Sequence, residues 1–498
     1  MRKRGNLQLG ASLFLATALV HAQRAPGVVD EWLARLDTQG AERVIRDAGK
    51  SGPRIMVQIA RIAVHRGQPK VALRLLDAAG AEAASEDGRE LRAIAFGLLH
   101  ATEGAVERTT DDGALRVQFQ HGGDVALLPW LADTVVAARR VTGESLGYTW
   151  SAPTYVVLVR DQQTLAEATG LPYESARTTG TLAIAKWGRV TMLSPRATEG
   201  GFPWRDTIVH ELAHLALTAV TSDHAPLWLQ EGVAKDMETH WREREPFDEQ
   251  PPPEALVLEA DAKGELLPLD KLGPSVAMLP SARSAAIAFA SATSFVRYLR
   301  SDLGPQRWPA YLRALAGSRS SDVLLEATGK SFGTWQAAWL ASVRREGKAM
   351  ANATPSVPEI DRDVPRRMRI GRLLVERGHG EAAMKELARV GDVARRSVER
   401  EGGWFTLHAL AHDQRHDDVA LDALLFGAAP ATDPRGAWYR LRARRDEGRG
   451  DGSAGAKDRE KAVSREPYGP EAVCEDGRTG REAALCDAAR QRMQPGVE

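Results

Sequence analysis

His210, Glu211 and His214 form a His-Glu-x-x-His pattern inside the run Trp204-Arg-Asp-Thr-Ile-Val-His-Glu-Leu-Ala-His-Leu-Ala-Leu-Thr218. On a helix, residues four apart share a face, so both imidazoles can bind one ion through ring nitrogens. Glu211 lies about one-third of a turn round, where a carboxylate reaches the water beside a metal rather than the metal itself. At about 100° per residue, Ile208, Val209, Leu212, Ala213, Leu215, Ala216 and Leu217 cover some two-thirds of the circumference. Thr207, His210, Glu211, His214 and Thr218 make up the remaining polar stripe. A stripe that only faced solvent would more often carry Lys, Arg and several acids. The chain holds 12 His, and a chance match of this spacing is expected in roughly a percent or two of such sequences.

A catalytic zinc takes three protein ligands and keeps a fourth position for water. The metzincin continuation asks for Gly at position 217 and His at position 220, but the chain has Leu217 and Val220. The next helical segment, Pro226 to His240, begins with a Pro suited to a helix start. Glu231 stands alone there among apolar neighbours, and Gly232 permits close approach of another helix. Glu231 is therefore the expected third ligand. Glu238, two turns further along the same face, either accepts the free N–H of a ligand His or is a plain exposed acid. His224 and His240 read as structural histidines rather than ligands.

These residues need elements to hold them. Residues 28 to 104 are helical in pattern, with two amphipathic segments meeting at Gly67. Strands follow at Ala114 to Gln120 and Thr154 to Val159, with a helix at Val125 to Leu146 between them and another at Gln162 to Thr169. Thr181 to Ala185 and Arg189 to Leu193 form a hairpin around Lys186-Trp187-Gly188, with Gly188 supplying the turn conformation. Helix resumes from Pro203 to about 241, a Glu- and Pro-rich loop covers Arg242 to Glu254, and helices continue to about 346. Ala351 to Pro365 reads as a linker. Beyond it, Arg377-Gly378, Gln414-Arg415 and Glu447-Gly448 recur between helices at roughly the 34-residue period of a tetratricopeptide-like repeat.

At 498 residues the chain calls for several domains. The expected parts are a signal peptide (1–22), a helical N-terminal domain (23–106), a domain bearing the metal motif (107–348), a linker (349–365) and a helical, repeat-like C-terminal domain (366–498). The fold class is α+β, with the metal-bearing core between all-α flanks. Lys+Arg and Asp+Glu both number 66, which excludes a global field for nucleic acid or an acidic membrane. Arg2, Lys3 and Arg4, the apolar Leu9 to Val20, and Val20-His21-Ala22 make a signal peptide cleaved after Ala22. The apolar run is too short to span a bilayer, so a periplasmic or secreted location is expected. The only cysteines, Cys474 and Cys486, could pair in an oxidising compartment or stay two thiols.

With these motifs in place, the chain resembles the gluzincin peptidases, in particular the thermolysin-like, peptidase MA-like domain, which implies a zincin-type core and a zinc peptidase domain over 107–348. The likeness rests on His210-Glu-Leu-Ala-His214 and Pro226-Leu-Trp-Leu-Gln-Glu-Gly-Val-Ala234. It is supported by the strand at 154–159, the hairpin at 181–193, Leu267-Pro-Leu-Asp-Lys-Leu272, Phe295-Val-Arg-Tyr-Leu299, Gly304 and Gly329, and covers about residues 107 to 346. The resemblance implies Zn²⁺ on His210, His214 and Glu231, Glu211 as general base, and a peptide or protein substrate. It also implies that Arg189 to Leu193 is the sheet edge that pairs with an extended substrate. One departure stands out. Related enzymes place an oxyanion-stabilising Tyr where this chain has Phe289, which leaves His224, Tyr173 and Tyr298 as substitutes. The competing expectation is a non-catalytic envelope scaffold whose helical repeats bind protein partners around a degenerate zincin core.

Overall fold

The computed structural model describes residues 27–49, 51–197, 202–243, 252–273, 275–276, 279–317, 322–351, 364–389, 404–427 and 436–465. The expected signal peptide, most of the linker and both cysteines lie outside these residues. The described chain is mostly helical and contains one mixed five-stranded sheet, an α+β arrangement. None of its helices is long and apolar enough to cross a membrane.

The strands are β1 (Val106–Thr109), β2 (Leu115–Phe119), β3 (Thr154–Val159), β4 (Ala183–Lys186) and β5 (Arg189–Leu193). Their order across the sheet is β1-β2-β3-β5-β4, with β2, β3 and β5 parallel and the two outer strands antiparallel. β1 has no counterpart in the sequence reading, because its Val-Glu-Arg-Thr shows neither an apolar run nor clear alternation. Every residue of β3 is buried, as its β-branched run requires when both faces of a central parallel strand are covered.

Alternation along the strands splits the core into two layers. Leu115, Val117, Phe119, Val156, Leu158, Val190 and Met192 face the helices Leu128–Leu146 and Trp204–Thr221. Tyr155, Val157, Val159 and Leu193 face the opposite way, onto Leu98 and Ala101 of helix Glu86–Thr102 and Leu165 and Ala168 of helix Gln162–Thr169. The last of the five N-terminal helices therefore forms part of the sheet's covering layer.

The β4–β5 turn carries a second link to that region. Trp187 (φ 57°) and Gly188 (φ 69°) both take the left-handed conformation, as a two-residue turn of matching twist demands. For a bulky residue this costs about 1–2 kcal/mol. Burial of the Trp187 indole among Val57, Ala60, Val64, Leu76 and Ile94 of the N-terminal helices offsets that cost. Next to it, Arg189 is fully buried and makes no ion pair among the described residues. Its guanidinium donates to the carbonyls of Val64 (3.0 Å), Ala168 (3.4 Å) and Trp187 (3.5 Å). Burial pulls it down to about 10, with Tyr155 opposing. Val64 and Ala168 close two helices, so the cation sits at the negative ends of both.

After the sheet domain, the helices pair as Val364–Glu376 with Gly380–Ala388, Trp404–Gln414 with Asp418–Gly427, and Ala437–Gly448 with Gly452–Arg465. One apolar cluster joins the first pair to the second (Met368, Ala383, Leu387, Leu407), and another joins the second to the third (Leu421, Leu425, Trp438, Ala462). Stacking of this kind buries what a single pair cannot.

Candidate metal centre

The helix Trp204–Thr221 stands between two cores. Ile208, Val209, Leu212 and Leu215 pack toward the sheet, while Ala213, Ala216 and Leu217 pack toward the helices that follow. Its polar stripe is enclosed as a result: His210, Glu211 and His214 are 1%, 1% and 6% exposed. The next helix, Leu227–Met237, brings in Glu231 at 0% exposure. Gly232 does what its size suggested, although the close partner is the long helix Ala282–Leu315. A Cβ there would meet the Ala292 carbonyl oxygen at 2.5 Å. Asp236, on the same helix and also buried, is held by Arg297 (2.6 Å) and Arg300 (2.7 Å) of that long helix. A lone carboxylate there would cost several kcal/mol.

The two Nε2 atoms of His210 and His214 lie 3.3 Å apart, and Glu231 Oε2 stands 3.9 Å from the first and 3.6 Å from the second. Among the described residues, this is a buried group that could hold a metal ion. Ligand atoms of a tetrahedral zinc with bonds of about 2.0–2.1 Å stand roughly 3.3–3.4 Å apart, so the spacing fits with small adjustments. The Glu231 carboxylate supports the same conclusion. Both of its oxygens are buried without a hydrogen-bond partner among the described residues, a costly state for an anion that a cation would relieve.

The outer nitrogens of both rings face acceptors. His214 Nδ1 is 3.2 Å from Gln230 Oε1, and Gln230 Nε2 in turn donates to Thr218 Oγ1 at 3.5 Å. His210 Nδ1 is 3.5 Å from Glu238 Oε2 and has no hydrogen-bond partner among the described residues. With Nδ1–H on the acceptor side, each ring turns Nε2 toward the shared point, where a metal ion would take the place of a proton. Glu238 is thus a half-buried neighbour of His210, its side chain 13% exposed. Burial raises its carboxyl, but Lys235 and His210 outweigh this and hold it below the usual range. For His214, burial pushes the imidazole down, while Glu231, Glu211 and Gln230 overcome that and hold it at about 9.

Glu211 stays outside the ligand set. Burial raises its carboxyl, with the Glu231 charge adding to the rise and His210, His214 and the Ala185 N–H opposing it. Its Oε2 has no hydrogen-bond partner among the described residues. The contact with Ala185 brings in strand β4 and corrects the expected edge. Arg189 to Leu193 is β5, paired on one side with β3 and on the other with β4, so it has no free edge. The outer strand is β4. Leu193 N–H donates to Leu182 O at 2.8 Å, so alternation turns the N–H and C=O of Ala183 and Ala185 away from β5. The sequence shows two equally strand-like segments and cannot say which one lies inside.

The three candidates for the missing tyrosine have different surroundings. His224 Nδ1 is 3.1 Å from the Leu315 carbonyl, Tyr298 packs edge-on to Trp335, and Tyr173 is 41% exposed on its own short helix. Phe289 is buried in the helical core, and its backbone carbonyl accepts from Thr293 Oγ1. Gln230 and the Ala185 amide were not singled out from sequence. Gln230 precedes the expected ligand and could have been examined for that reason, whereas a backbone amide carries no residue-type signal. Comparison with protein-family models, curated proteins and solved structures gives no match.

Proposed function

We propose that the protein is an exported zinc-dependent peptidase of the gluzincin kind. The reading is carried by the convergence of His210 Nε2, His214 Nε2 and Glu231 Oε2, with a fourth buried side chain, Glu211, beside them and not part of the group. Zinc held by those three residues supplies Lewis acidity, polarising a substrate carbonyl and lowering the pKa of water to about 7. Glu211 takes a proton from the attacking water at its unpartnered Oε2 and passes it to the leaving amine nitrogen. Its raised proton affinity suits both halves of that transfer. Gln230 and Glu238 keep the two imidazoles in one tautomer and orientation. The open side of β4 offers an extended peptide the N–H and C=O of Ala183 and the C=O of Ala185, the Ala185 N–H being taken by Glu211. The stacked C-terminal helix pairs serve as surfaces for protein partners.

Phe289 favours a second reading, a zinc-bearing scaffold without turnover. It has no hydroxyl for an oxyanion, and one such donor is worth on the order of a hundredfold in rate. The test is metal analysis combined with a peptide-library assay on wild type and Glu211→Gln. The peptidase reading expects about one zinc per chain in both proteins, and cleavage lowered by roughly 10²-fold or more in the variant. A folded, zinc-loaded wild type that cleaves nothing favours the scaffold. A folded protein that takes up no zinc removes both readings.

A further inference from the structure

The Glu211 carboxylate accepts from a backbone amide of β4, the strand that leads into a hairpin tip packed against a distant part of the chain. The Ala185 N–H that holds the Glu211 carboxylate lies two residues before Trp187. Trp187 leaves the sheet domain at the tip of the β4–β5 hairpin and enters the core of the N-terminal helices, where it is 7% exposed. Its ring meets the His65 ring edge-on, with centroids 5.8 Å apart and planes at 83°. The next residue leaves no slack, because a Cβ on Gly188 would lie 3.2 Å from His65 Nδ1. Arg189 completes the anchor through its bond to the Val64 carbonyl, one residue before His65. Three successive hairpin residues therefore grip the end of helix Pro53–His65.

β4 is an outer strand, paired on one side only. Its start is held by packing of Ala183 and Ile184 on the two faces, whereas Ala185 and Lys186, half-buried at its other end, lie next to the hairpin tip. Beyond the hairpin ladder, the tip is the contact that ties it to the N-terminal helices. We infer that the N-terminal helices act as a clamp on the edge strand, with Trp187 as a positioning residue that sets the Ala185 amide against Glu211. The inference rests on the reading of Glu211 as the general base. The clamp makes the N-terminal helices part of the machinery that aligns the base, so anything that shifts helix Pro53–His65 changes turnover without touching the metal ligands.

Hydrogen exchange on the zinc-loaded full chain tests this without requiring activity, and kinetics follow where the wild type cleaves. Trp187→Ala, and separately His65→Ala, are expected to speed amide exchange in residues 183–186 by about tenfold or more while zinc content stays at the wild-type level. Trp187→Phe is expected to restore most of the protection. In the peptidase assay, kcat falls by about tenfold or more with KM changed far less, and the Phe variant recovers it. If exchange in 183–186 is unchanged in folded Trp187→Ala and His65→Ala proteins, the clamp is overturned. Should Trp187→Ala fail to fold, the His65→Ala result decides alone. An inactive wild type counts against the peptidase reading and leaves the exchange comparison standing.

Discussion

The chain carries helical pairs on both sides of its sheet, and the two groups are held in different ways. The N-terminal helices share cores with the sheet domain: Leu98 and Ala101 pack on its back face, Trp187 fills their interior, and Arg189 caps one of their ends. The C-terminal helices bury their apolar residues mainly against one another and join neighbours through surface ion pairs. Arg445 reaches Asp422 at 2.6 Å and Asp418 at 2.9 Å, Arg449 reaches Asp422 at 2.9 Å, and Arg444 reaches Asp413 at 3.0 Å. Amphipathic helices of similar pattern can thus be framework or attachment. What decides is whether another element's large side chain completes their core.

Deletion would separate the two groups most strongly. Removing residues 27–102 uncovers Tyr155, Val157 and Val159 and leaves Trp187 without its pocket. That protein is expected to show no cooperative thermal transition and no stoichiometric zinc. Ending the chain at 351 is expected to leave both intact. Equal tolerance of the two deletions, judged by calorimetry and metal content, would break the contrast.

A single buried residue should show the same asymmetry on a smaller scale. Arg189→Met removes the donors to the Val64 and Ala168 carbonyls at a fully buried site. The expected loss is about 2–4 kcal/mol in urea unfolding. A change under about 0.5 kcal/mol would mean that the carbonyls find other partners.

The smallest effect belongs to the C-terminal ion pairs. Asp422 is held below its ordinary value of 3.8, chiefly by its hydrogen bond from Arg445, with Arg449 adding. A carboxyl lowered in the folded state contributes stability in full above the unfolded value and loses it as pH falls through the folded one. Asp422→Asn should therefore cost about 0.5–1 kcal/mol at neutral pH and nothing at the acid end. Melting curves between pH 2 and 7 check the sign. A penalty that persists in acid would point to packing instead of charge.

Much of this was legible beforehand. The strands at 115–119, 154–159 and 189–193, the helix bearing His210 and His214, and Glu231 on the next helix all follow from local periodicity and the isolation of polar residues among apolar ones. For Glu238 the spacing allows either a partner of a ligand His or an exposed acid, and its carboxylate stands half-buried 3.5 Å from His210 Nδ1. The sequence points to Arg189–Leu193 as the edge, whereas β4 is the outer strand, because β4 and β5 look alike until their neighbours are known. The boundary drawn at residue 106 gave no sign that helix Glu86–Thr102 covers the sheet.

By itself, the sequence determined the residue types and their faces: a helix whose single polar stripe is His210, Glu211 and His214, a lone Glu231, and helical pairs on either side. These depend on contacts within one turn or one strand, which residue spacing records directly. The tertiary structure alone decided that the Ala185 amide meets Glu211, that Gln230 and Glu238 lie beside the outer nitrogens of the imidazoles, and that Trp187 ties the edge strand to helix Pro53–His65, more than a hundred residues earlier. Each of those depends on strand order and on packing between elements far apart in the chain, which no local pattern encodes.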